Sequence, residues 1–413
     1  MLLCVALLVS VSARAVTSAR DASNTTGDVV TIDNTQPRRT TDGQLMDAHD
    51  GNIVQWQAGG RYYYYAMGYQ NCSDPAGIFS HVVAPYGCPG VLKRIGACGF
   101  RTDHAVNVYS SPDLTNWTFE GDALPTQARP KGVYFRPKVV YNRRTSEYVL
   151  WINFLYERSA HQTPLGAYPN ATYLVGASKS PVGPFTIATP SAHLEAKGAG
   201  DLAILVDGDD AYVVYDAWSD GHSFQLQQLD ADFYDVRLPA VTPAQLHASG
   251  EAPMLFKRRG WYYLIVGSGC ASKGIQTVRW GWVHAALMSL SCPRSLLPGC
   301  FCPAGGSARV FVAQHPLGTW TDTKVDLNPK RMWSMEHVIP AQNNDVFQAR
   351  VLQGGNATSE TEYILTADMW HSAADHLKSH DRQFWAPLRF DDTVTPPTIA
   401  ALEWIDSFTL QLA

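Results

Sequence analysis

Three acidic residues occupy matching places in a repeated pattern. Asp50 lies in Asp47-Ala-His-Asp-Gly-Asn-Ile53, Asp201 in Gly198-Ala-Gly-Asp-Leu-Ala-Ile-Leu-Val-Asp207, and Glu251 in Ser249-Gly-Glu-Ala-Pro-Met-Leu-Phe-Lys257. Each stands one to three residues before an apolar run. Carboxyl groups brought into one apolar pocket split their pKa values, because like charges resist joint ionisation, so one can serve as acid while another serves as base. The alternative for Asp50 and Asp201 is a structural one, capping backbone N–H groups where a strand begins. Asp207, Asp209 and Asp210 sit in turn sequence and read as surface turn-formers.

The elements that must position these acids are hairpins. An apolar run, a turn and an aromatic-rich run recur five times, around 52–67, 137–152, 202–215, 253–266 and 345–367. Most copies are followed by a small-polar turn entering an aromatic segment, as in Ser110-Ser-Pro-Asp-Leu-Thr-Asn-Trp, Ser178-Lys-Ser-Pro-Val-Gly-Pro-Phe and Gln314-His-Pro-Leu-Gly-Thr-Trp. A hairpin plus two outer strands, repeated five times, predicts an all-β, five-bladed β-propeller. A β-sandwich also contains repeated hairpins, but the fixed order of hairpin and outer element argues against it. In a propeller the inner strands surround one axis, so acids distant in sequence can meet there. The expected organisation is a signal peptide at 1–15, a flexible leader at 16–44 and one propeller domain at 45–413. Within that domain, Ala271–Gly299 interrupts the fourth blade as an insertion peripheral to the site.

Glu251-Ala-Pro-Met-Leu-Phe-Lys-Arg-Arg-Gly-Trp-Tyr-Tyr-Leu resembles the acid-bearing motif of glycoside hydrolase family 43. Arg136-Pro-Lys-Val-Val-Tyr-Asn142, and Ala48-His-Asp-Gly-Asn-Ile53 with Tyr62 to Tyr65, resemble its galactan-cleaving branch, which contains exo-β-1,3-galactosidases. The resemblance implies a five-bladed propeller and an inverting glycosidase. It makes Glu251 the general acid and Asp201 the acid that positions Glu251 and raises its pKa. It leaves two residues for the base: Asp50, where the wider family keeps a carboxylate and the branch often has Gly, and Gln342, which matches the amide the branch uses instead. Phe135 departs from the Glu that the branch places before Arg-Pro-Lys. His49, Phe135, Arg136, Trp218 and Gln342 are the expected substrate contacts, and Tyr62 to Tyr65, Trp218, Trp333 and Trp385 include the candidates for stacking on sugar, although most of them should be blade core. An inverting enzyme needs its two carboxyl groups about 6.5–9.5 Å apart, with water held across the ring. An arabinofuranosidase or xylosidase on the same scaffold, and a carbohydrate-binding propeller without catalysis, are the rival readings.

Composition narrows the partners. The chain has 413 residues, 46% apolar and 17% charged, which excludes wholesale disorder. Its net charge of −5 excludes a basic nucleic-acid footprint on the chain as a whole. Past the N-terminus no apolar run reaches the ~20 residues of a membrane span. The partner expected is an oligosaccharide or polysaccharide, bound by a monomer without a cofactor; an axial Ca²⁺ is compatible with such a fold but is not predicted. Leu2–Val11 followed by Ala13-Arg14-Ala15 reads as a secretory signal. Sequons at Asn24, Asn71, Asn116, Asn170 and Asn356, and cysteines gathered at 72–98 and 270–302, agree with an oxidising, extracellular destination and with disulfides rather than zinc.

Overall fold

The computed structural model describes residues 28–70, 102–156, 170–217, 223–237, 239–240, 250–267, 305–332, 337–352, 359–370, 372–375 and 377–413. The signal segment, the interruption at 271–299, all eight cysteines, Trp218, Trp333, His376 and the sequons Asn24, Asn71 and Asn356 lie outside the described residues. Asn116 and Asn170 are described and exposed.

After strand β1 (Val29–Asp33) the chain builds five antiparallel sheets in sequence order. Blade one is β2 (His49–Gln55), β3 (Tyr62–Gly68), β4 (Ala105–Ser111) and β5 (Thr118–Asp122). Blade two is β6 (Gly132–Asn142), β7 (Glu147–Tyr156), β8 (Thr172–Ser178) and β9 (Thr186–Thr189). Blade three is β10 (Ala199–Asp207), β11 (Asp210–Ala217) and β12 (Ser223–Gln228), and blade four is β13 (Glu251–Arg258), β14 (Trp261–Gly267), β15 (Ala308–Ala313) and β16 (Thr321–Asp326). Blade five is β17 (Gln342–Leu352), β18 (Ser359–Met369) and β19 (Arg382–Pro387). These five blades form a β-propeller, as the repeated hairpins predict. Among the described residues blades three and five carry three strands rather than the expected four. No helix among the described residues is long and apolar enough to cross a membrane.

Turn chemistry sets the hairpins. Arg258 pairs with Trp261, and the two residues between them, Arg259 and Gly260, have φ of 48° and 81°, the paired positive values of a tight turn whose twist suits antiparallel strands. The core is divided into layers between blades. Along β14, Tyr263 and Ile265 pack toward blade five, while Tyr262, Leu264 and Val266 pack toward blade three. Both faces of such a strand are buried, which is why Trp261-Tyr-Tyr-Leu-Ile-Val reads as a continuous apolar run. Trp385 and Tyr64 lie in the layer between blades five and one with no exposure, so Trp385 is core and not a sugar-stacking surface.

The chain ends also differ from expectation. Residues 29–33, assigned from composition to a flexible leader, form a strand that pairs with the C-terminal strand Ser407–Gln411 in register Val29↔Gln411 to Asp33↔Ser407. Asn34, fully buried, donates through Nδ2 to the Trp385 carbonyl at 2.8 Å and accepts from the Trp385 N–H at 2.9 Å. Polar composition concealed this segment because its ordering comes from a strand some 380 residues away and from one side-chain amide.

Candidate active site

Every inner strand opens with an irregularity at the same level. The register shifts between His49 and Asn52, between Phe135 and Lys138, between Ala199 and Leu202, between Glu251 and Met254, and between Asn343 and Asp345. In the first four blades two inner-strand residues therefore face one residue of the neighbour: Asp50-Gly51, Arg136-Pro137, Gly200-Asp201 and Ala252-Pro253. Such a bulge bends the strand and re-aims a side chain. Asp50, Arg136 and Ala252 have φ of 61°, 52° and 53° there, a conformation that costs ordinary residues energy and persists only where surrounding structure enforces it. Gly51 is required by space: a Cβ would lie 1.5 Å from the Tyr65 carbonyl oxygen.

The bulges bring the predicted acids into one network. Arg136 Nε stands 3.4 Å from Asp50 Oδ1 and 3.0 Å from Asp201 Oδ1, and Nη1 donates to the Asn343 carbonyl at 3.1 Å. Asp201 Oδ2 accepts the Ala252 N–H at 3.0 Å, which anchors the backbone beside Glu251. Glu251 Oε2 accepts from Gln342 Nε2 at 3.4 Å, and Gln342 Oε1 accepts from the Trp370 indole N–H at 3.0 Å. An indole can only donate, so the oxygen of Gln342 must face Trp370 and its NH₂ must face Glu251. Asp50, Arg136, Asp201, Glu251 and Gln342 thus come from blades one to five in order.

Burial grades these residues. Asp50 is 4% exposed, whereas the Asp201 side chain is 21% exposed and Glu251 is partly buried. Asp50 Oδ2 accepts from the Tyr69 hydroxyl at 2.7 Å, and its own N–H donates to Asp368 Oδ2 at 2.9 Å. Burial pushes the Asp50 carboxyl up, but Arg136, Lys378, the Tyr69 hydroxyl and His49 outweigh it and hold Asp50 below the usual carboxylate range. The same two acids, Asp201 and Asp50, hold the buried Arg136 guanidinium charged against the opposing effect of burial.

The residues expected to touch sugar divide. Arg136 is 3% exposed and spends its guanidinium on Asp50, Asp201 and the Asn343 carbonyl, so it organises the acids from inside. His49 has no exposure: it sits behind Asp50, 3.5 Å from Asp368 Oδ1, between Tyr69 and Trp370 at centroid distances of 5.6 and 5.5 Å. Phe135 is partly buried against Val133, Leu155 and Ala171 and approaches the His104 ring edge-on. Gln342 meets Glu251. Sequence reading missed Asp368, Tyr69, Trp370 and Lys378. Three of them lie at or just beyond the ends of second strands or in a connecting turn, where no repeated pattern marks them. Among the described residues no cluster of three or more His, Cys, Asp or Glu is arranged to hold a metal.

Comparison with known proteins bears on the fold. The sequence model of Glycosyl hydrolases family 43 matches residues 95–281, a span that includes Asp201 and Glu251. An exo-β-1,3-galactanase from Clostridium thermocellum is similar in structure, with TM-score 0.62 and 20% identity over 92% of this chain and 67% of that one. A family 43 β-1,3-galactosidase solved with galactodeoxynojirimycin gives TM-score 0.60 and 20% identity over 91% of this chain and 99% of that one. An exo-β-1,3-galactanase from Phanerochaete chrysosporium solved with β-1,3-galactotriose gives 0.57 and 22% over 91% and 67%. No curated protein matches in sequence. The fold is that of the propeller these structures share, and the family 43 sequence model matches this chain over residues 95–281.

Proposed function

We propose that the protein is a secreted, inverting exo-glycosidase that removes sugar from β-1,3-linked galactan or arabinogalactan-type side chains. The observation that carries this reading is the series of contacts in which each blade supplies one residue and three of the five are acids. Glu251 is the general acid, protonating the leaving oxygen. Asp201 positions it through the Ala252 N–H and through Arg136. Asp50 is the base. Each of its oxygens has a second lone pair beyond those used by Arg136 and Tyr69, so it can accept from water, and it is held ionised for that purpose. Gln342 presents only its NH₂ toward Glu251, and an amide NH₂ has no lone pair available to take a proton, so in this arrangement it orients and binds. Water adds to the anomeric carbon from the face opposite the leaving oxygen, its proton passes to Asp50, and the proton of Glu251 goes to the departing hydroxyl.

The galactan preference rests on the sequence motifs and on the substrates named for the similar structures. Export rests on the N-terminal apolar segment and the sequons, two of which are exposed. The test is to incubate purified protein with β-1,3-galactan, arabinan and xylan and follow released sugar by proton NMR. Galactose appearing first as the α-anomer supports the proposal; retention of β, or release from arabinan or xylan alone, overturns the inverting step or the substrate. Glu251→Gln should slow release on the order of 10²–10⁴-fold and leave binding nearly intact. Binding of galactan without release from any substrate would make the protein a carbohydrate-binding propeller.

A further inference from the structure

Lys378 lies in the short 3₁₀ turn Lys378–His380 between β18 and β19 and is only 5% exposed. Lysine is rarely buried so far unless its charge has favourable surroundings. Its Nζ stands 3.2 Å from the centroid of the Trp370 ring and 4.3 Å from that of Tyr69. The two rings meet edge to face, with centroids 6.2 Å apart and planes at 86°. Both rings carry a polar atom directed at the site: the Tyr69 hydroxyl donates to Asp50, and the Trp370 indole donates to Gln342. One ammonium therefore touches the two side chains that fix the two residues flanking the site.

We infer that Lys378 is a positioning residue for the hydrolytic reaction, its ammonium holding the Tyr69 and Trp370 rings so that Asp50 and Gln342 keep their orientation. This rests on the proposed roles of Asp50 and Gln342. A cation against an aromatic face is attracted by the ring quadrupole, most strongly where water is excluded. A purely space-filling side chain in the same place would not depend on charge. Around Asp50 the charged and titratable groups are Arg136, Lys378, Lys138, His49, Tyr69, Tyr64 and Asp368, with Asp201 on the far side of Arg136. Arg136, Lys378, Lys138 and protonated His49 favour the ionised carboxylate; Asp368 opposes it.

The variants are Lys378→Met, which keeps length and removes charge, and Lys378→Arg, which keeps charge. With β-1,3-galactan, Lys378→Met should lower kcat by about 10–100-fold with little change in KM, and move the acidic midpoint of the kcat/KM profile up by roughly half to one pH unit. The shift is upward because removing a cation stabilises protonated Asp50, and a base must be ionised to work. Lys378→Arg should restore most of both. In a cycle with Tyr69→Phe the losses should be less than multiplicative, since both changes act on one contact. The inference is overturned if Lys378→Met keeps the wild-type acidic midpoint, if Arg rescues nothing, or if the losses multiply. Should wild-type protein release no sugar, the functional reading fails by itself. The Asp50 titration can then be followed by NMR in ¹³C-Asp-labelled wild type, Lys378→Met and Lys378→Arg, with Asp50→Asn providing the assignment. An unmoved midpoint there overturns the positioning role as well.

Discussion

Replacing Asp50 by Asn separates the two residues that could activate water. The carboxylate stands 3.4 Å from the Arg136 guanidinium and accepts from Tyr69 at 2.7 Å. At an effective dielectric of about 20, an ion pair at that separation is worth about 5 kcal/mol of attraction. Most of this is offset, because the amide no longer needs the several kcal/mol of desolvation that a buried carboxylate does. Arg136 also keeps Asp201 at 3.0 Å. The carbonyl of the introduced amide can face Arg136, and its NH₂ can donate to the Tyr69 hydroxyl, which can turn to accept. The net destabilisation should be only about 1–3 kcal/mol, too little to unfold a stable propeller at 25 °C. Loss of the base, by contrast, should slow turnover by roughly 10²–10⁴-fold. Gln342→Ala removes a contact to Glu251 and one to Trp370 without removing a proton acceptor, and should appear mainly as a higher KM. The assay is initial sugar release at pH values around neutrality, with thermal melts run in parallel and azide added as an external nucleophile. Azide should restore turnover of Asp50→Asn, because it needs no deprotonation. The reasoning is refuted if Asp50→Asn turns over near the wild-type rate while Gln342→Ala collapses.

Three other outcomes are expected. Asp201→Ala removes the acceptor of the Ala252 N–H and one partner of Arg136, and should cut kcat by at least about 10-fold while shifting the basic limb of the rate profile that reports the general acid. Lys138→Met should cost about 2–4 kcal/mol in urea unfolding, because the buried Lys138 ammonium donates to the Gly51 carbonyl at 2.7 Å and the Asn344 carbonyl at 3.0 Å and balances the partly buried Asp345. Burial pushes the His49 imidazole down, but Asp368 and Asp47 outweigh it and hold it above its ordinary value of 6.5. A raised folded-state pKa gives stability that is fully present below 6.5 and is lost as pH climbs through the folded value. Melting curves of wild type and His49→Gln should therefore differ most below pH 6.5 and converge only once pH has passed the raised folded value.

The sequence by itself determined the repeated unit and its number, since hairpin turns and apolar runs are local and each copy announces itself within about 20 residues. It also placed Asp50, Asp201 and Glu251 correctly at the heads of inner strands, because that position is a constant offset from a visible run. It could not say that Arg136 lies between two of these acids, for a motif records neighbours along the chain and not the residue across the axis. Tyr69, Asp368, Trp370 and Lys378 were invisible for a related reason. Residues 69, 370 and 378 stand in irregular backbone, and their roles depend on side chains meeting across blades one and five. The bulges that aim Asp50 and Arg136 were equally hidden. A positive φ at a residue other than glycine has no signature in composition and exists only because the partner strand, the Tyr65 carbonyl against Gly51 and the paired charges together leave no better conformation.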